Sequence, residues 1–168
     1  MPTPLRINVT GNAGSGKSTL AADLGQKLGY PVHNLDSIVW LPHWKKRAAI
    51  ERENLEDELV REPTWIIDGV SKRVRDAADL VVVLDASRST CIFRAAKRNS
   101  RHLFHSRPGL PEHCPEILII PRLIQIILKY PSLIRSEILR ESEISDKYLW
   151  VTANRDSDDI VQSINFST

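Results

Sequence analysis

Apolar residues along the chain fall into short β-type runs and helical stripes, and the two periods take turns. "LRINVT" (5–10) is rich in β-formers and reads as a strand through Val9. In "TLAADLGQKL" (19–28), Leu20, Leu24 and Leu28 recur every fourth residue, the apolar stripe of a helix that Gly29 ends. "YPVHNLD" (30–36) predicts a short strand closing at Asp36. Charged "IERENLEDELVRE" (50–62), with Leu55 and Leu59 four apart, predicts a surface helix. "TWIIDG" (64–69) and "ADLVVVLD" (78–85) read as strands, the second with the continuous apolar run of a parallel strand covered on both faces. A helix follows from about Ser89 to Ser100, with Cys91, Ile92, Ala95 and Ala96 on its apolar face. "KYLWVTA" (147–153) predicts the last strand. "SDDIVQSI" (157–164) opens on a capping serine and two acidic residues, as a final helix should. Strands alternating with helices predict an α/β fold, a doubly wound parallel sheet.

One apolar segment invites a different reading. "ILIIPRLIQIILKYPSLI" (117–134) is interrupted by Pro121, Arg122, Gln125, Lys129 and Pro131. No uncharged stretch therefore reaches the roughly 18 residues that a membrane span requires. Leu123, Ile126, Ile127 and Ile134 fall near helical spacing and predict an amphipathic helix with proline breaks. A net charge of +2 over 168 residues is too small to argue for nucleic acid or an anionic membrane as an obligate partner. No helix-turn-helix pattern or dense basic stripe is visible either. Cys91 and Cys114 make no disulfide framework, and "MPTPLRINVT" lacks the apolar run of a signal peptide. Both fit a reducing cytoplasm. The length predicts a single domain, residues 1–168, monomeric or weakly dimeric.

Between the first strand and the first helix stands "GNAGSGKS" (11–18), where local stability gives no reason for glycine. A Gly-rich turn at a helix N-terminus makes a nest of backbone N–H groups at the positive end of the helix dipole, an anion site for phosphate. The pattern G-x-x-x-x-G-K-[ST] is the Walker A or P-loop. Gly11, Asn12, Ala13, Gly14, Ser15, Gly16, Lys17, Ser18 and Thr19 are the candidate nucleotide-binding residues. Lys17 would place its ammonium on the β- and γ-phosphates of ATP, and Ser18 would offer its hydroxyl to Mg²⁺.

Ligands of doubly wound sheets sit beyond the carboxyl ends of the strands, where Gly11, Asp36, Asp68 and Asp85 all fall. Asp36 could accept a hydroxyl proton or bind a polar group of an acceptor. Arg94 and Arg98 are four apart and share one helix face, with Arg101 next and Arg107 beyond. Guanidiniums converging on a transferring phosphoryl group would stabilise its charge. "RHLFHSRPGLPEHCPE" (101–116) is polar, basic and proline-bearing, the best candidate for a mobile lid. His102, His105, His113 and Cys114 lie there too, but their spacing matches no standard zinc pattern.

The stretches "GNAGSGKSTLA", "NLDSIVWLPHW", "WIIDG", "ADLVVVLD", "CIFRAAKR" and "RPGLPEHCPE" together resemble P-loop kinases of the nucleoside-monophosphate-kinase group, related to adenylate kinase. More narrowly they resemble the DNA topology modulation protein family. The resemblance implies a three-layer, five-stranded parallel sheet, ATP with Mg²⁺ and a lid over the phosphates. It also implies that Asp68, in the "DG" motif, orients Mg²⁺ through water, and that an acceptor lies near Asp36. Arg73, four beyond Gly69, matches an arginine expected at an acceptor phosphate, although Val70 and Ser71 replace the polar and aromatic residues usual there.

Trp40, Pro42 and Trp44 ("VWLPHW") follow Asp36 and suit either stacking on a planar base or anchoring the loop on the core. The resulting expectation is an ATP-dependent kinase acting on a small molecule, a nucleoside monophosphate or similar metabolite. A GTPase would need an NKxD-type motif, which "TANRDSD" does not provide. A nucleotide-binding regulatory module acting on DNA topology, with little or no catalysis, is the alternative.

Overall fold

The central strand, β1 (Arg6–Gly11), is buried from Ile7 onward, and it explains why the P-loop stands where it does. A computed structural model describes residues 5–106, 110–152 and 157–166. On one side β1 pairs in parallel with β5 (Trp65–Asp68), which pairs with β2 (Val32–Asn34). On the other it pairs with β6 (Leu80–Asp85), which pairs with β7 (Tyr148–Thr152). The result is a five-stranded, all-parallel sheet of order β2-β5-β1-β6-β7. The doubly wound α/β fold expected from the sequence is the fold observed. Because β1 lies in the middle, its carboxyl end delivers Gly11 to the centre of the sheet's edge.

Strand alternation sends side chains to two cores. Ile7, Val9, Ile66, Val82 and Leu84 pack with Ala21 and Leu24 of α1 (Lys17–Leu28) and Ile160 of α8 (Ser157–Phe166). Trp65, Ile67, Val81 and Val83 pack on the other face with Val74 of α4 (Lys72–Ala77) and Ile138 of α7 (Ser136–Ser142). The first helix ends as its sequence predicts: Gly29 takes φ +70° and donates its N–H to the Gly25 carbonyl at 2.9 Å.

The second strand stops at Asn34, two residues earlier than the sequence suggests. The Asn34 side chain accepts the Asp36 N–H at 2.7 Å and so caps a short helix, α2 (Leu35–Val39). A small antiparallel ladder follows, β3 (Trp40–Leu41) with β4 (Lys45–Lys46), and then α3 (Ala49–Val60). Helix α5 (Arg88–Arg101) starts on a Ser87 cap and packs Cys91 and Ala95 against Ile127 of α6 (Ile120–Tyr130). Pro131 does not end the helical path. It has no N–H to continue the α ladder, and the chain widens into a π turn (Pro131–Arg135) before α7. Among the described residues no helix is long and apolar enough to cross a membrane.

Candidate active site

The P-loop wraps the N-terminus of α1 with a backbone that only glycine sustains at two points. Gly14, at φ +80°, lies so close to the Cys91 carbonyl of α5 that a Cβ would collide with backbone. Gly16, at φ +107°, caps α1 in the left-handed region, leaving the first N–H groups of the helix directed at the cleft. A glycine-dependent loop pressed against α5 at the positive end of a 12-residue helix fits the phosphates of ATP.

Lys17 folds back over the loop and donates from Nζ to the Asn12 carbonyl at 2.9 Å. Burial pulls its ammonium below the ordinary lysine value, while Asp68 and Asp36 oppose that shift. The Ser18 hydroxyl donates to Asp68 Oδ2 at 2.5 Å, and Asn34 Nδ2 donates to the same oxygen at 3.1 Å. A hydroxyl and a carboxylate brought together beside a phosphate cradle are hard oxygen donors of the kind Mg²⁺ prefers. Asp68 is buried at the end of β5, so a strand from the core fixes its position.

These groups line a cleft of about 960 Å³ along the carboxyl edge of the sheet. Asp36, in the first turn of α2, lines the same cleft, as do Arg52 and Glu56 of α3 and Arg122 of α6. Arg94 and Arg98 of α5 border the cleft together, and Arg94 also donates to the Ser15 carbonyl at 3.0 Å. The structure thus brings together Lys17, Ser18, Asp36, Asp68, Arg94 and Arg98.

It does not bring in Arg73 or Arg101. Arg73 points away from the cleft, with Nη1 2.6 Å from Asp57 and Nη2 3.4 Å from Glu53, both on α3. The reason is helical register. Ser71 caps α4, Val74 takes the buried position, and Arg73 is turned toward the acidic outer face of α3. Arg101 is exposed at the end of α5 and is not part of the cleft wall. Arg107 lies outside the described residues.

Three groups in the cleft wall escaped sequence reasoning. Arg52 and Glu56 are four apart on α3, but an acidic helix with a weak apolar stripe reads as surface. Glu56 is buried and accepts the Ser71 hydroxyl at 2.7 Å. Arg122 registers in the sequence only as an interruption of an apolar run. In the fold its guanidinium carbon lies 5.0 Å from the centre of the Trp40 ring. Trp40 in turn meets Trp44 edge-to-face at 5.3 Å, and Trp44 Nε1 donates to the Pro115 carbonyl at 2.8 Å. The tryptophan loop is therefore anchored, with an arginine lying over one ring.

Three comparisons with known proteins bear on this site. No protein-family model matches the chain. Dephospho-CoA kinases from two strains of Thermus thermophilus are 50% identical to it over 58 residues, 34% of this chain. The matched stretch spans about a quarter of those enzymes' length (24%). Among solved structures, shikimate kinase from Acinetobacter baumannii in complex with shikimate aligns with a TM-score of 0.61 at 20% identity. That alignment covers 99% of this chain and 96% of the other. A gluconokinase from Sinorhizobium meliloti aligns with a TM-score of 0.54 at 18% identity, covering 96% and 90%. The chain has the P-loop kinase fold. These matches support that part of the sequence resemblance and not the narrower DNA topology modulation family.

Proposed function

We propose that the protein transfers the γ-phosphoryl group of ATP to a hydroxyl of a small anionic acceptor. The observation that carries this is a single cleft in which Lys17, Arg94 and Arg98 beside the P-loop share the lining with Asp36, Arg52 and Arg122. Phosphoryl transfer needs positioned charge on both sides of the moving group more than it needs covalent chemistry. Arg94 and Arg98 would meet charge as it builds on the phosphoryl oxygens. Asp36 would orient the acceptor hydroxyl and receive its proton. Ser18 and Asp68 would hold Mg²⁺, which would supply positive charge against the charge that develops during transfer. The names of the similar proteins, a gluconokinase, a shikimate kinase and dephospho-CoA kinases, support a small-molecule acceptor.

The acceptor class follows from the part of the lining that α3 and α6 contribute. Two arginines there suit a carboxylate or phosphate, because a guanidinium fork matches paired oxygens. A nucleoside monophosphate belongs to this class, but two of its supports weaken. Arg73 is engaged by α3, and the Trp40 ring is covered by Arg122. Small hydroxy acids and sugar acids fit the same wall without needing a flat stacking face. Turnover of Mg·ATP against a panel of nucleoside monophosphates, hydroxy acids, sugar acids and neutral sugars tests the reading. Stimulation by an anionic alcohol supports it. A protein that binds ATP but gains turnover from no acceptor would instead be a nucleotide-binding module.

A further inference from the structure

Helix α6 carries a built-in defect that the P-loop repairs. The carbonyl of Ile127 would ordinarily accept the N–H of residue 131, but residue 131 is proline and has none. Asn12, only 2% exposed, supplies the missing donor: its Nδ2 donates to the Ile127 carbonyl at 3.0 Å. Its Oδ1 accepts the Ala13 N–H at 2.8 Å, so both ends of the amide are satisfied in this orientation. The Asn12 carbonyl meanwhile receives Lys17 Nζ and the Ser15 N–H at 3.1 Å. One residue therefore touches the phosphate-seeking lysine with its backbone and α6 with its side chain. The Ile127 side chain packs with Cys91 and Ala95, and Ala13 of the P-loop packs on the same cluster. The contact is continuous rather than a single bond.

What α6 presents to the cleft gives this link its meaning. Arg122, Ile126 and Lys129 recur at helical spacing along its cleft-facing side, and Arg122 is one of the two guanidiniums on the acceptor wall. The Lys17 ammonium has three N–H donors, one of them on the Asn12 carbonyl, so a phosphate drawn to the others bears on the same group that Asn12 holds. We propose that Asn12 is a positioning residue that transmits phosphate occupancy of the P-loop to α6, and through α6 to Arg122, coupling donor binding to the acceptor side. This inference rests on the nucleotide-binding part of the proposed function. Coupling of this kind typically amounts to about 5- to 150-fold in affinity.

Amide hydrogen exchange, with Mg·ADP as the probe, tests the link without requiring an identified acceptor. In the wild-type protein Mg·ADP should slow exchange at residues 14–18 and also, by about fivefold or more, along residues 123–130. Asn12→Ala removes the donor. Pro131→Ala restores a helical N–H that competes with Asn12 for the Ile127 carbonyl, without touching the P-loop. In both variants the slowing along α6 should fall below about twofold, and in Pro131→Ala protection of 14–18 should persist. If Asn12→Ala does not fold, Pro131→Ala alone decides. Unchanged α6 slowing in Pro131→Ala, or none in wild type when 14–18 are protected, overturns the proposal and leaves nucleotide binding intact. Failure of Mg·ADP to protect 14–18 in wild type overturns both.

Discussion

The Ser18 hydroxyl donates to the Asp68 carboxylate at 2.5 Å, joining the first turn of α1 to the end of β5. Two residues 50 positions apart meet because β5 lies directly beside β1 in the sheet. On the proposed reading they hold Mg²⁺ together. Asp68→Asn keeps the shape and removes the charge, so the Mg²⁺ concentration giving half-maximal turnover should rise by about tenfold or more. Titrating Mg²⁺ at fixed ATP checks this; an unchanged midpoint removes Asp68 from the metal site.

Arg122→Ala and Arg52→Ala should each raise the acceptor's KM by about tenfold or more, the usual scale for losing a charge-assisted hydrogen bond. The KM for ATP should change less than the acceptor's KM, since neither arginine belongs to the P-loop. Arg73→Ala, whose guanidinium is held by Asp57 and Glu53, should leave the acceptor's KM nearly unchanged. The opposite ranking would return the acceptor clamp to the position that the sequence resemblance implies.

That contrast shows which parts of the molecule were legible in the sequence. The sheet was, because Val81, Val82 and Val83 form an apolar run that only a strand covered on both faces explains. So was the P-loop, whose chemistry is a local backbone pattern. The acceptor wall was not. Whether Arg52, Arg73 or Arg122 reaches the cleft depends on helix rotation and on neighbours distant in sequence, as the pairing of Arg73 with α3 demonstrates. Asp36 was found but assigned to a strand end, because the Asn34 cap that turns the chain into α2 has no signature in hydrophobic periodicity.

Acid should destabilise the packing of α4 against α7. Arg75 is buried, and its guanidinium meets Glu141 at 2.9 Å and Glu137 at 2.5 Å. Burial pushes the Glu141 carboxyl up, but hydrogen bonds from Arg75 and Tyr148 outweigh it and hold the carboxyl below its ordinary value. Its contribution is therefore full above about pH 4.5 and is lost as pH falls through the lowered folded value. Thermal unfolding from pH 7 to 3 should show Tm falling below about pH 4.5. Glu141→Gln should show a smaller acid-dependent fall from a lower starting Tm. An equal acid-dependent fall in the variant would rule out Glu141 as a source of the lability.

Lys17→Ala should fold normally, because Lys17 bonds to the loop rather than to the core. Its turnover should drop by about 10²-fold or more, since the lysine acts on charge that develops during transfer. Mg·ATP should also raise its Tm less than it raises that of the wild type at the same concentration. An equal gain in Tm would show that Lys17 does not bind phosphate.

The central claim is that phosphoryl transfer occurs across the cleft to a small anionic alcohol. ³¹P NMR of the wild-type protein with Mg·ATP and the acceptor panel observes the product itself, free of background hydrolysis. A new phosphate-ester resonance is expected with at least one hydroxy acid, sugar acid or nucleotide, and it should be absent for neutral sugars and for Lys17→Ala. Inorganic phosphate as the only product with every acceptor, or ester formation undiminished in Lys17→Ala, would contradict the account.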